Sequence, residues 1–127
     1  MEITLELSCC KYPYAAEIAA FWKDNREALV TYLGEVHRGV RGLVQDAEGN
    51  PITNAVFRIK GRNVPFKPSD RGEFWRILLP GQYLLEVRAP GYLRLEKPFQ
   101  VNQSQITELH LTMTPGVSID KSPTIEM

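Results

Sequence analysis

The chain has 127 residues, room for one folded core or one compact domain with an accessory piece, but not for two full-sized domains. Hydrophobic residues make up 43% and charged residues 24%, a globular balance too apolar for intrinsic disorder. Lys and Arg total 15 and Asp and Glu total 15, so no net field attracts nucleic acid or an anionic membrane, and no apolar run approaches the roughly 20 residues of a transmembrane segment.

The N-terminus sets Ile3, Leu5 and Leu7 against Glu2, Thr4, Glu6 and Ser8, an alternation that predicts a strand over 2–8 with one buried face. It lacks the basic start and apolar stretch of a signal peptide. A lone strand needs a sheet to join, and no neighbouring segment offers a hairpin partner. Alternation alone makes Glu6 a solvent-facing residue of an edge strand. Cys9 and Cys10 are the only cysteines, and a bond between sequence neighbours is strained. Two readings follow: a pair of buried, reduced thiols, or a partner cysteine outside this chain.

From Ala15 to His37 apolar residues recur at Ile18, Phe21, Trp22, Leu29, Leu33 and Val36, the spacing of one helical face. Asp24 or Asn25 offers a cap for a second segment, with a break near 22–25, and Gly39 suits a C-terminal stop. Beyond Gly39 the period changes to two. Seven runs follow, at 40–46, 55–60, 63–67, 73–79, 82–89, 92–101 and 105–113, separated by turn residues such as Asp46 to Pro51, Asp70-Arg71-Gly72, Pro80-Gly81 and Ala89-Pro90-Gly91. They predict a mostly β protein: a seven-stranded antiparallel sandwich preceded by one strand and one helix. The expected inward set is Val44, Val56 or Phe57, Ile59, Trp75, Ile77, Tyr83, Leu85, Val87, Leu109, Leu111 and Met113. Residues 114–127 hold Pro115, Gly116 and Pro123 without periodicity and read as a flexible tail. Asn102-Gln103-Ser104 is an N-glycosylation acceptor at Asn102, which would suit an extracellular protein.

The run Thr4-Leu5-Glu6-Leu7-Ser8-Cys9-Cys10-Lys11-Tyr12-Pro13 resembles, without a gap, the strand and loop that bear the catalytic glutamate in zinc metallocarboxypeptidases of the N/E subfamily, the carboxypeptidases D, E, M, N and Z. Phe21-Trp22, Asn25 and Val36-His37-Arg38-Gly39-Val40-Arg41-Gly42 resemble the last catalytic-domain helix and its junction with the next module. Gly49-Asn50-Pro51-Ile52, Gly72-Glu73-Phe74-Trp75-Arg76-Ile77-Leu78, Leu79-Pro80-Gly81-Gln82-Tyr83 and Ala89-Pro90-Gly91-Tyr92 resemble the transthyretin-like domain of the same enzymes. The resemblance implies the end of a catalytic domain over 1–38, a transthyretin-like sandwich over 39–113 and a tail over 114–127.

It further implies that Glu6 is the general base of a complete enzyme, in which zinc polarises the scissile carbonyl and a carboxylate moves the proton of its bound water to the leaving amine. The family takes its zinc ligands from a His-x-x-Glu pair and a distant histidine. This chain has only His37 and His110, neither followed by glutamate three residues on, so zinc is expected in a parent enzyme and not on this chain alone. The partners implied are peptide and protein C-termini ending in Arg or Lys, and the compartment is extracellular or secretory. A non-catalytic transthyretin-like binding or structural module is the other reading, its apolar helix face a route to self-association. A redox pair at Cys9 and Cys10 is the weakest reading, because redox chemistry favours two intervening residues.

Overall fold

The computed structural model describes residues 2–117, which fall into two compact units, Met1–Val36 and His37–Met127. The first holds one helix, α1, over Ala15–Gly34, followed by a 3-10 turn at Glu35–His37. The Tyr14 N–H donates to the Glu17 carboxylate at 3.3 Å, which meets one orphan donor of the first turn. No break occurs at 22–25: the Asn25 amide donates to the Phe21 carbonyl at 2.8 Å from within the helix. The apolar stripe is not a buried face. Ile18, Trp22, Leu33 and Val36 are exposed, and Phe21, Leu29 and Tyr32 are half-buried.

Two further sequence expectations fail in this unit. Residues 2–8 form no strand, because no second chain segment pairs with them and an unpaired alternation has no ladder to complete. Cys9 and Cys10 are exposed, which overturns the reading of buried thiols.

The second unit is a β-sandwich of six strands: β1 at Val40–Gln45, β2 at Val56–Ile59, β3 at Glu73–Arg76, β4 at Gly81–Arg88, β5 at Leu95–Val101 and β6 at Thr107–Thr112. One sheet runs in the order β3-β1-β6 and the other β2-β4-β5. The expected strand at 63–67 reduces to a single bridge between Phe57 and Phe66, since Pro65 has no N–H to continue a ladder. The sandwich is also not wholly antiparallel, because β1 and β6 pair in parallel from Val40 opposite Thr107 to Gln45 opposite Thr112.

Alternate residues of both sheets turn inward. Val40, Val44, Phe57, Leu85 and Val87 are each at most 1% exposed, and the Phe57 ring lies 4.4 Å from Phe74 and 5.2 Å from Phe66, centroid to centroid. Phe74, not Trp75, points into this core: Trp75 is 56% exposed, so the phase expected for β3 is reversed, with Leu78 rather than Ile77 as the buried residue after it. Phe57 is the inward choice on β2, and Val56 faces out.

Turn chemistry fixes the ends of the strands. The Asp46 carboxylate accepts from the Asn50 N–H at 2.8 Å, the Glu48 N–H at 3.0 Å and the Asn50 side-chain amide at 3.2 Å. These bonds, that from the Asn50 backbone foremost, hold its pKa below the usual aspartate range. After β6 the chain stays attached through residue 116: the Leu93 N–H donates to the Thr114 carbonyl at 2.8 Å and the Gly116 N–H to the Gly91 carbonyl at 3.0 Å. The remainder of the expected tail, 118–127, lies outside the described residues.

Candidate functional site

Two surfaces, one in each unit, gather the chemically capable side chains. In the first unit Glu6 lies in an extended segment folded beside α1, and it lines an open groove of about 820 Å³ with Ser8, Cys9, Cys10, Phe21 and Trp22. Glu6 is exposed. The two cysteine sulfurs approach to 2.8 Å, and the Ser8 hydroxyl is 4.0 Å from Cys9 Sγ. The contact with Cys10, followed by that with Ser8, holds the Cys9 thiol below its ordinary pKa, and the same contact raises Cys10.

No group of three or more His, Cys, Asp or Glu among the described residues is arranged to hold a metal ion. Catalytic zinc needs three protein ligands and an open position, so the residues present do not fit that ion by themselves. His37 sits exposed in the 3-10 turn that ends the helical segment, and His110 is exposed on β6. Asn102 is exposed in the bend that follows β5, with Gln103 and Ser104 exposed beside it.

The second surface is the outer face of the β3-β1-β6 sheet. Registry sets Trp75, Arg41 and Glu108 in one row across the strands and Glu73, Leu43 and His110 in the next. They line a groove of about 380 Å³. Arg41 donates from Nε at 2.9 Å and from Nη2 at 2.5 Å to Glu108 Oε1. These hydrogen bonds, then the guanidinium charge and His110, hold the Glu108 carboxyl below the usual glutamate range. Sequence reasoning missed this surface because it assigned Trp75 to the core. The signal that could have found it is the adjacent pair Phe74-Trp75, of which a half-buried strand can bury only one.

Comparison with known proteins matches residues 39–114 to the carboxypeptidase regulatory-like domain. Carboxypeptidase M of Mus musculus is 44% identical over 93 residues, covering 72% of this chain and 21% of that protein. Carboxypeptidase D of Rattus norvegicus is 40% identical over 118 residues, covering 91% of this chain and 9% of that protein. The chain thus spans about a fifth or less of the length of these relatives. Among solved structures, the TIE protein of Bacillus anthracis superposes with a TM-score of 0.52 at 23% identity, over 62% of this chain and 17% of that one, a likeness of fold alone. The resemblance to N/E-type carboxypeptidases holds over most of the chain, and the match to carboxypeptidase D reaches well into residues 1–38, upstream of the regulatory-like region.

Proposed function

The chain belongs to the carboxypeptidase regulatory-like domain family, and we propose that it is part of a zinc metallocarboxypeptidase that removes C-terminal Arg or Lys from peptides and proteins. The observation that supports this reading most is that similarity to carboxypeptidase D covers 91% of the chain, taking in sequence outside the sandwich. A regulatory-like module borrowed by an unrelated protein would align over the sandwich only. In this reading residues 1–38 are the end of a catalytic domain, 39–113 its regulatory-like sandwich and 114–127 a tail, and the parent enzyme works in the secretory pathway or outside the cell, with Asn102 a site for sugar.

Glu6 is the residue assigned a chemical role. In this reading its carboxylate accepts a proton from the attacking water and returns it to the departing amine. The zinc ligands of such an enzyme lie outside this chain, and the isolated chain is expected to have no peptidase activity. Reading the transcript upstream of the Met1 codon is the first test: an open frame containing His-x-x-Glu supports the proposal, and a frame that stops just before Met1 removes it. In the complete enzyme Glu6→Gln is expected to lower kcat for release of C-terminal Arg by about 10²–10⁴-fold with KM little changed. An unaltered kcat would reassign Glu6 to the surface.

A second reading, a non-catalytic binding module, is favoured by one observation. Among the described residues every buried hydrophobic residue of the core lies between Val40 and Met113, so the sandwich has a core of its own without the first unit.

A further inference from the structure

We infer that the outer face of the β3-β1-β6 sheet is a docking site for a basic side chain of a peptide, with the Trp75 ring as its platform and Glu73 as its counter-charge. The inference rests on the peptidase reading for its substrate class and on the sheet for its geometry. Trp75 and Glu73 are two residues apart on one strand, so they emerge on the same face about 7 Å apart. A cation within about 6 Å of the ring centre is attracted by the indole face, and a carboxylate at that spacing reaches the same cation.

Neither group is already engaged. Cation–ring contacts among the described residues fall on Tyr12, Phe66 and Tyr83, leaving the Trp75 face open. Glu73 makes no side-chain ion pair among the described residues, while Arg41, the one cation of the groove, is compensated by Glu108. With His110 neutral, the groove has an excess of one negative charge. Its apolar floor is the half-buried Leu43, which shelters an aliphatic Lys or Arg stem while the head stays wet.

The other sheet supplies an internal contrast. Its outer groove is lined by Val56, Arg58, Glu86 and Arg88, with an excess of positive charge and no aromatic ring. A basic peptide is therefore steered to the Trp75 face and away from the opposite one.

The test is a nitrogen-15 NMR titration of the full chain with a pentapeptide ending in Lys-Arg and with its Ala-Ala counterpart. The basic peptide is expected to shift resonances of β1, β3 and β6 only, with affinity falling about tenfold in each of Trp75→Ala and Glu73→Lys and mostly lost in about 0.5 M salt. Unmoved core resonances in the variants show that the fold is intact. Equal shifts from the Ala-Ala peptide, shifts on β2 and β4, concentration-dependent broadening of this face without peptide, or no shift at millimolar peptide would each overturn it. Failure here is separable from failure of the peptidase reading: an enzyme that still releases C-terminal Arg and loses that activity in Glu6→Gln leaves the peptidase standing without this dock.

Discussion

At the scale of single residues, the Arg41–Glu108 pair lies on a wet sheet face, where an ion pair contributes little to stability and can still shift a titration. Both side chains are more than half exposed, at 55% and 56%, so solvent screens the attraction and the net contribution to stability is small. Glu108 nevertheless titrates low, chiefly because the Arg41 hydrogen bonds favour its charged form. A folded-state pKa below the unfolded value means that the pair stabilises above the unfolded carboxyl pKa, and that this is lost as pH falls through the folded value. Arg41→Ala is expected to move the Glu108 carboxyl titration upward by NMR while leaving the midpoint of thermal unfolding at pH 7 almost unchanged. A Glu108 titration that ignores the substitution would show that the pairing is absent in solution.

At the scale of elements, the parallel pairing of β1 with β6 depends on a residue with no side chain. A Cβ added at Gly42 would stand 1.8 Å from the Leu109 carbonyl oxygen and 2.9 Å from the Phe74 ring, so β1 must separate from β6 to admit it. Gly49 is the useful contrast: its φ of +87° disfavours an L-residue by about 1–2 kcal/mol, but nothing lies within 4 Å of the added atom. Gly42→Ala is therefore expected to destabilise the sandwich distinctly more than Gly49→Ala in urea denaturation. Equal midpoints for the two variants would contradict the close approach.

The same elements show which features local sequence can reveal. Turn residues and alternation place β1, β2, β4, β5 and β6, because each has one buried face and a turn at its ends. They do not reveal that β1 pairs with β6 in parallel, since the partners are about 67 positions apart and parallel pairing leaves no local signature. In β3 both phases offer an aromatic residue, and the choice falls to Phe74 because the Phe57 ring is there to meet it. For residues 2–8 the alternation is real, but it specifies a strand only when a neighbouring strand is present. A role for Glu6 is proposed solely on its ten-residue context, because an exposed carboxylate has no pattern of its own.

At the scale of the whole chain, the two units differ in what sustains them. The sandwich buries sixteen apolar residues between Val40 and Met113, whereas α1 buries none and leaves Trp22, Leu33 and Ile18 more than half exposed. Each large apolar side chain left in water forgoes about 1.5–3 kcal/mol, and several such losses rival the roughly 5–15 kcal/mol that holds a domain together. Most helical stability in proteins comes from packing an apolar face, and α1 buries no residue, so the first unit has no independent source of stability. Limited proteolysis is expected to cut within residues 2–36 and leave a resistant fragment that begins near Gly39, and that fragment should unfold cooperatively at nearly the temperature of the full chain. Residues 1–38 made alone should show no cooperative transition. A resistant fragment beginning before residue 20 would mean instead that the helix is held to the sandwich strongly enough to share its stability, and the chain would then unfold as one body rather than as a core with a dependent leader.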